Sequence, residues 1–151
     1  MLYLPVADLS PLEDDPDLAA LWFADGSPVD LGEAWHGLHV LLNGSAWGGS
    51  APLYDAVLGG TPLGDPTSYE PVRYVTPADV KAVAASLPSA EELTPKFTHA
   101  RMKQAEAYPE HRWSEPDVLT AFLLPAYEVL AGLFREAAER GDAVLITLDR
   151  G

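Results

Sequence analysis

The feature that most constrains the fold is an apolar run at residues 143–148, which follows Gly141 and Asp142. A short run of aliphatic and β-branched residues after a turn signal is typical of a strand. Because polar residues do not alternate with apolar ones, the run indicates burial on both faces, as in the centre of a sheet covered by helices. The sequence therefore predicts an α/β domain with helices on both sides of its sheet.

Prolines that follow capping residues mark several helix starts, as in Thr76-Pro77, because proline in the first turn loses an amide that has no partner there. Strands are predicted at 56–58 and 72–75, with a further candidate at 2–6. Helices are predicted at 11–23 (broken near Pro16), 31–42, 77–87, 95–107 and 116–140, the last kinked at Pro125. We expect a small mixed β-sheet flanked by helices.

The length of 151 residues fits one domain, so we expect residues 1–151 to form a single domain. The chain contains no cysteine, which excludes disulfides and thiolate chemistry. No run approaches the ~20 apolar residues of a membrane span, and residues 1–8 show no export signal. A cytoplasmic location is the expectation.

Charge is distributed unevenly along the chain. The net charge is −14, and residues 1–72 contain eleven Asp or Glu and no Lys or Arg, so that Arg73 is the first cation. Phosphate backbones and anionic membranes would repel such a surface, which argues against a nucleic-acid or membrane ligand. A basic protein would be attracted to it, although solubility alone also explains acidic surfaces.

The densest motif is Trp35-His36-Gly37-Leu38-His39, within the predicted helix 31–42. Asp30 and Glu33 form a potential capping box, and Asn43-Gly44 predicts a left-handed stop. Gly37 inside a helix indicates a close approach of another chain segment or a ligand.

The two histidines of this motif allow two interpretations. Residues at i and i+3 can converge on a metal or a substrate, but the helical zinc pattern has histidines at i and i+4 with Glu between them. No third ligand is obvious. A hydrogen-bonded pair that braces the core is the favoured interpretation, and we expect no metal and no cofactor.

A second cluster extends from Ser68 to Pro77 and contains Arg73, which either binds an anion bidentately or pairs with an internal carboxylate. The second alternative is favoured in so acidic a chain. Aromatic residues near the histidines and Arg73 complete a candidate pocket, whose members are Trp35, His36, His39, Trp47, Tyr69, Arg73 and Tyr74.

These residues resemble the DUF1877, or YfbM-like, family of small bacterial proteins. The resemblance rests on residues 33–42 around the Trp-His-Gly-Leu-His motif, on 71–77, on Tyr108-Pro109 with Trp113, and on the strand after Gly141. It extends over nearly the whole chain and implies an α/β fold with a mixed sheet. It implies no activity.

Two functions remain open. The first is a non-enzymatic interaction protein, such as an inhibitor or immunity-type partner of a basic protein, because the first 72 residues are free of cations and no catalytic set is recognisable. The second is a small-molecule receptor or enzyme in which His36 or His39 acts as a base and Arg73 orients an anion.

Overall fold

The computed structural model describes residues 1–64 and 72–148. Within these residues an α/β fold is present. The strands are β1 (Leu2–Val6), β2 (Val29–Asp30), β3 (Thr61–Pro62), β4 (Arg73–Val75) and β5 (Ala143–Thr147). The α-helices are α1 (Ser10–Asp14), α2 (Leu18–Asp25), α3 (Trp35–Asn43), α4 (Pro77–Ser86), α5 (Ala90–Leu93), α6 (His99–Gln104) and α7 (Leu124–Arg140).

The strands form one sheet in the order β2-β1-β5-β4-β3. The strand β5 is central, as predicted, and its residues 143–146 are all buried. Leu2 pairs with Thr147 and Arg73 pairs with Ile146. Every pairing among the described residues is antiparallel, so the expectation of a mixed sheet is corrected.

Successive strand residues point to opposite sides of the sheet, which gives it two apolar faces. Helices cover both of these faces. On one face Leu4 and Leu145 pack with Leu12 of α1 and Ala19 of α2. On the other face lies the larger core, which includes α3, α4 and α7. The predicted arrangement of a small sheet flanked by helices is confirmed.

The strand predicted at 56–58 is wrong. Residues Leu53–Ala56 form a 3₁₀ turn, and Ala56 and Val57 are fully buried without joining the sheet. The Ala56 carbonyl accepts a hydrogen bond of 2.7 Å from the buried Tyr3 hydroxyl. A short apolar run does not distinguish a buried strand from a buried turn.

The predicted helix 95–107 is divided. The Thr94 hydroxyl donates back to the carbonyl of Ala90, the first residue of α5, so it does not cap the segment that follows. Thr98 caps α6 instead, since its Oγ1 accepts from the Arg101 amide at 3.0 Å. The helix predicted at 77–87 is confirmed as α4, with the Thr76 cap accepting from Asp79.

Before Pro125 the chain forms a π-helical turn at Leu119–Leu123, in which the Leu124 amide donates to the Leu119 carbonyl. The wider turn occurs just before Pro125, whose nitrogen carries no hydrogen to donate in an α-helical bond. The break near Pro16 is confirmed by the gap between α1 and α2.

Candidate functional site

The helix α3 carries the Trp-His-Gly-Leu-His motif in the interior of the protein. Every residue from 35 to 42 is buried, including both histidines. Gly44 ends the helix in the left-handed conformation at φ 71°, and its amide donates to the Val40 carbonyl, which confirms the predicted stop.

The predicted capping box at Asp30 and Glu33 is wrong. A 3₁₀ turn at Gly32–Ala34 precedes α3, and the Asp30 carboxylate accepts from the Gly32 amide at 2.7 Å. The Glu33 carboxylate lies 3.9 Å from the Arg112 Nε atom instead. Neither carboxylate therefore accepts a hydrogen bond as a cap of α3: Asp30 bonds to the turn before the helix, and Glu33 pairs with Arg112.

Gly37 permits a close side-chain approach. A Cβ atom at this position would lie 2.6 Å from the Trp113 Cη2 atom and 2.8 Å from the Leu123 Cδ2 atom. These distances are shorter than van der Waals contact allows, so the glycine accommodates the core. The approaching group is a pair of side chains of this chain.

His36 joins three parts of the chain. Its Nδ1 atom accepts a hydrogen bond of 2.8 Å from the Tyr108 amide, and its Nε2 atom lies 2.8 Å from the Ala46 carbonyl oxygen. An amide only donates and a carbonyl only accepts, so the ring is neutral with its proton on Nε2.

His39 makes the equivalent arrangement one turn later. Its Nε2 atom lies 2.9 Å from the Gly48 carbonyl oxygen, and its Nδ1 atom lies 3.3 Å from the Asn43 side-chain amide. The proton is again assigned to Nε2. The histidine pair, His36 and His39, thus bonds the backbone on both sides of Trp47.

Burial lowers the pKa of both histidines below its ordinary value, and the bonds to the Ala46 and Gly48 carbonyls oppose this shift only in part. All four ring nitrogens already have partners within the protein. In this arrangement neither ring has a nitrogen free to act as a general base. Within residues 1–64 and 72–148 no group of three potential metal ligands occurs.

Aromatic rings surround His36. The Trp47 ring centroid lies 4.3 Å from that of His36, and Trp35 stacks on His36 at 5.1 Å. Trp35 also contacts Trp47 at 6.5 Å and stacks on Tyr108 at 5.8 Å. Trp47 is 63% exposed and Tyr108 is 46% exposed, whereas Trp35 is buried. We call Trp35, Trp47 and Tyr108 the aromatic surface.

Arg73 lies outside this surface, on β4. Its guanidinium donates to the Gly59 carbonyl at 2.6 Å and to the Met1 sulfur at 3.7 Å. Among the described residues no carboxylate pairs with it, so the expected internal ion pair is not found there. Burial lowers its pKa, although Tyr3 and Tyr54 oppose the shift.

Of the predicted pocket, the structure brings together Trp35, His36 and Trp47, with His39 one turn away along α3. Tyr74 faces the opposite side of the sheet, where it packs with the α1–α2 core. Tyr69 lies outside the described residues.

A groove of about 620 Å³ lies beside the C-terminal end of α3. The predicted pocket residues that the structure describes are not among those that line it; Asn43, Ala46, Lys96, Arg101 and Gln104 are. Of the predicted residues, only Trp35, His36 and Trp47 contact one another among those that the structure describes, and the groove is a separate feature.

The comparison with protein families establishes the family to which the chain belongs. Residues 6–147 match the sequence profile described as a domain of unknown function, DUF1877. The chain belongs to the DUF1877 family.

The DUF1877 chain is also similar to a solved structure, that of YfbM from Escherichia coli, a protein of unknown function. The TM-score is 0.72 at 21% sequence identity, and the match covers 98% of this chain and 100% of YfbM. This likeness shows the fold alone. No curated protein matches the chain.

One residue of the candidate site was not predicted from the sequence. Tyr108 stacks on Trp35 and donates its amide to His36, yet it is 72 positions from His36. The segment with Tyr108-Pro109 belongs to the family resemblance, and that was the only signal that pointed to it.

In the described part of the chain, no helix is long and apolar enough to cross a membrane.

Proposed function

We propose that this DUF1877 protein is a non-catalytic interaction module that binds a basic partner protein. The observation that carries the proposal is the absence of Lys and Arg from the first 72 residues, against eleven Asp and Glu. A partner of opposite charge would be steered toward such a surface and would bind more weakly at high salt.

The exposed acids of the α1–α2 segment support the proposal. Four of them occupy five consecutive positions, and all are exposed: Glu13, Asp14, Asp15 and Asp17. The salt bridges among the described residues involve none of them. Their charge is therefore available to an incoming cationic protein.

The alternative of an enzyme or receptor built on His36, His39 and Arg73 has no comparable support. The ring nitrogens of both histidines bond to this chain. The Arg73 guanidinium donates to Gly59 and Met1. We therefore prefer a binding function.

The test is affinity capture from the native host with three forms of the protein. The first is the unchanged chain, and the second neutralises the α1–α2 segment through Glu13→Gln, Asp14→Asn, Asp15→Asn and Asp17→Asn. The matched control changes the net charge equally elsewhere through Glu91→Gln, Glu128→Gln, Glu136→Gln and Glu139→Gln, all of which are exposed positions.

We expect a basic protein, identified by mass spectrometry, to be retained at low salt and released at high salt. The α1–α2 variant should lose it, and the control variant should retain most of it. If no retained protein responds to salt, or if the two variants behave alike, the proposal is wrong.

A further inference from the structure

The aromatic surface places two large rings in solvent at one place. Trp47 and Tyr108 are the exposed aromatic residues among the described large apolar side chains, and each contacts the same buried ring, Trp35. Exposed tryptophan and tyrosine side chains that lie together are typical of the residues that dominate binding energies.

The histidine pair holds this surface in place. His36 and His39 bond to the carbonyls on either side of Trp47, and the Gly48 amide donates to the Ser45 hydroxyl at 3.1 Å. The same His36 ring accepts from the Tyr108 amide. Both exposed rings are therefore attached to one buried helix, and little ordering of these segments is needed when a ligand binds.

One face of Trp47 remains available. The ring centroids of Trp47 and His36 lie 4.3 Å apart with a tilt of 35° between the planes, while 63% of Trp47 stays exposed, so much of the ring away from His36 is open to solvent. The cation–π contact within residues 1–64 and 72–148 is that of Arg112 over Phe122, at 4.5 Å. No cation of this part of the chain lies over the aromatic surface.

The overall charge of the chain favours a cationic ligand. The faces of aromatic rings attract cations, and tryptophan attracts them most strongly. The net charge of −14 favours the approach of a cation, and residues 1–72, which include Trp35 and Trp47, contain no Lys or Arg. In the sequence around Tyr108, Glu106 and Glu110 are accompanied by Lys103 and Arg112. An anionic or purely apolar group gains neither advantage.

We propose that the aromatic surface binds an arginine or lysine side chain of the partner, stacked on the outer face of Trp47. This inference rests on the proposed function, because the cation belongs to the basic partner protein. The acidic segment attracts that partner, and the aromatic surface provides the short-range contact.

The test uses the full chain labelled with ¹⁵N and two peptides, hexa-arginine and hexa-citrulline. Citrulline has the shape of arginine without its charge. The indole signals of the four tryptophans are followed during titration at about 150 mM salt, where long-range attraction is already screened. Trp47→Leu assigns its signal, and Leu21→Ser removes an exposed apolar side chain elsewhere as a control.

We expect hexa-arginine, and not hexa-citrulline, to shift the Trp47 indole signal. Trp47→Leu should weaken hexa-arginine binding about threefold to tenfold, while Leu21→Ser should leave it unchanged. A melting temperature within the error of the unchanged chain confirms that Trp47→Leu folds.

Three other results overturn the inference and separate it from the proposed function. Equal binding of hexa-arginine by the unchanged chain and Trp47→Leu rejects the aromatic contact but leaves the acidic surface in place. An equal response to hexa-citrulline rejects the cationic nature of the contact. If hexa-arginine does not bind at all, even at low salt, both proposals fail.

Discussion

The polar groups of α3 and those of the α1–α2 segment differ in burial and in bonding. In α3 the residues 35–42 are all buried, and the histidine nitrogens are bonded within the protein. In α1–α2 the acids Glu13 to Asp17 are exposed and lack ion pairs among the described residues. The first region fixes the structure, whereas the second presents charge to the outside. A conspicuous motif is therefore not necessarily the part that meets a ligand.

The largest effect is expected for His36→Leu, which breaks the buried region. The substitution leaves the Ala46 carbonyl and the Tyr108 amide without their partner. We expect the free energy of unfolding to fall by about 1–3 kcal/mol, because the two groups that lose their partner are partly buried and an unpaired, fully buried polar group costs about 1–3 kcal/mol. Urea denaturation provides the measurement.

The exposed His111 offers the matched control. His111→Leu should change the free energy of unfolding by less than about 0.5 kcal/mol. If His36→Leu costs no more than this control, the hydrogen bonds of His36 do not stabilise the protein, and the contrast between the two regions is lost.

A smaller loss is expected for Gly37→Ala, which tests the packing of α3. The new Cβ would collide with Trp113 and Leu123. Overpacking costs about 1–3 kcal/mol, and the helix preference of alanine returns about 1 kcal/mol. We expect a net loss of up to about 2 kcal/mol in thermal or chemical denaturation.

Gly132→Ala in α7 is the companion measurement, since nothing lies within 4 Å of a Cβ at that position. This change should stabilise the protein by up to about 1 kcal/mol through helix preference alone. Equal stabilisation by both substitutions would contradict the close packing inferred at Gly37.

The stability of the protein should depend on pH through the two buried histidines. The unfolded histidines bind protons near 6.5, whereas burial lowers the pKa of His36 and His39 in the folded protein. Between these pKa values the unfolded state holds more protons, so stability falls as the pH falls through 6.5 and is fully retained above it. The melting temperature should drop by roughly a few degrees between pH 7.5 and pH 5, because a loss of about 1 kcal/mol lowers it by about that amount in a domain of this size.

The same scan on His36→Leu should show a shallower slope, because one of the two responsible rings is absent. An unchanged slope would assign the pH dependence to other groups. A melting temperature that rises as the pH falls through this window would mean that the folded protein, and not the unfolded chain, binds more protons.

The smallest effect on stability is expected in the exposed region. Neutralising Glu13, Asp14, Asp15 and Asp17 together should change the melting temperature by less than about 2 °C. The Asp15→Asn change retains the oxygen that accepts from the Asp17 amide. A large loss in differential scanning fluorimetry would show that these acids stabilise the fold, and that their charge is not held for a partner.

Local signals in the sequence predicted local features well. The Thr76 cap, the Gly44 stop and the central strand β5 each depend on a few neighbouring residues, and all are confirmed. The two-residue strands β2 and β3 were not predicted, since so short a segment carries no periodicity. The strand wrongly predicted at 56–58 is also too short to show a periodicity that distinguishes a strand from a turn.

The candidate site was predicted only in part, because its contacts are not local. The sequence indicated a hydrogen-bonded histidine pair but not its partners, the backbone of Ala46 and Gly48 and the distant amide of Tyr108. Arg73 and Tyr74 were grouped with the histidines because they are aromatic or charged. The strand β4 places Arg73 beside Gly59 and Met1 and Tyr74 on the opposite side of the sheet.

The most direct test of the account is the tautomeric state of the two histidines, measured by long-range ¹H–¹⁵N correlation spectroscopy at neutral pH. We expect His36 and His39 both to be neutral with the proton on Nε2, and both to titrate below 6.5. A charged ring, or a proton on the Nδ1 atom of His36, would contradict the bond from the Tyr108 amide and with it the structural role of the motif.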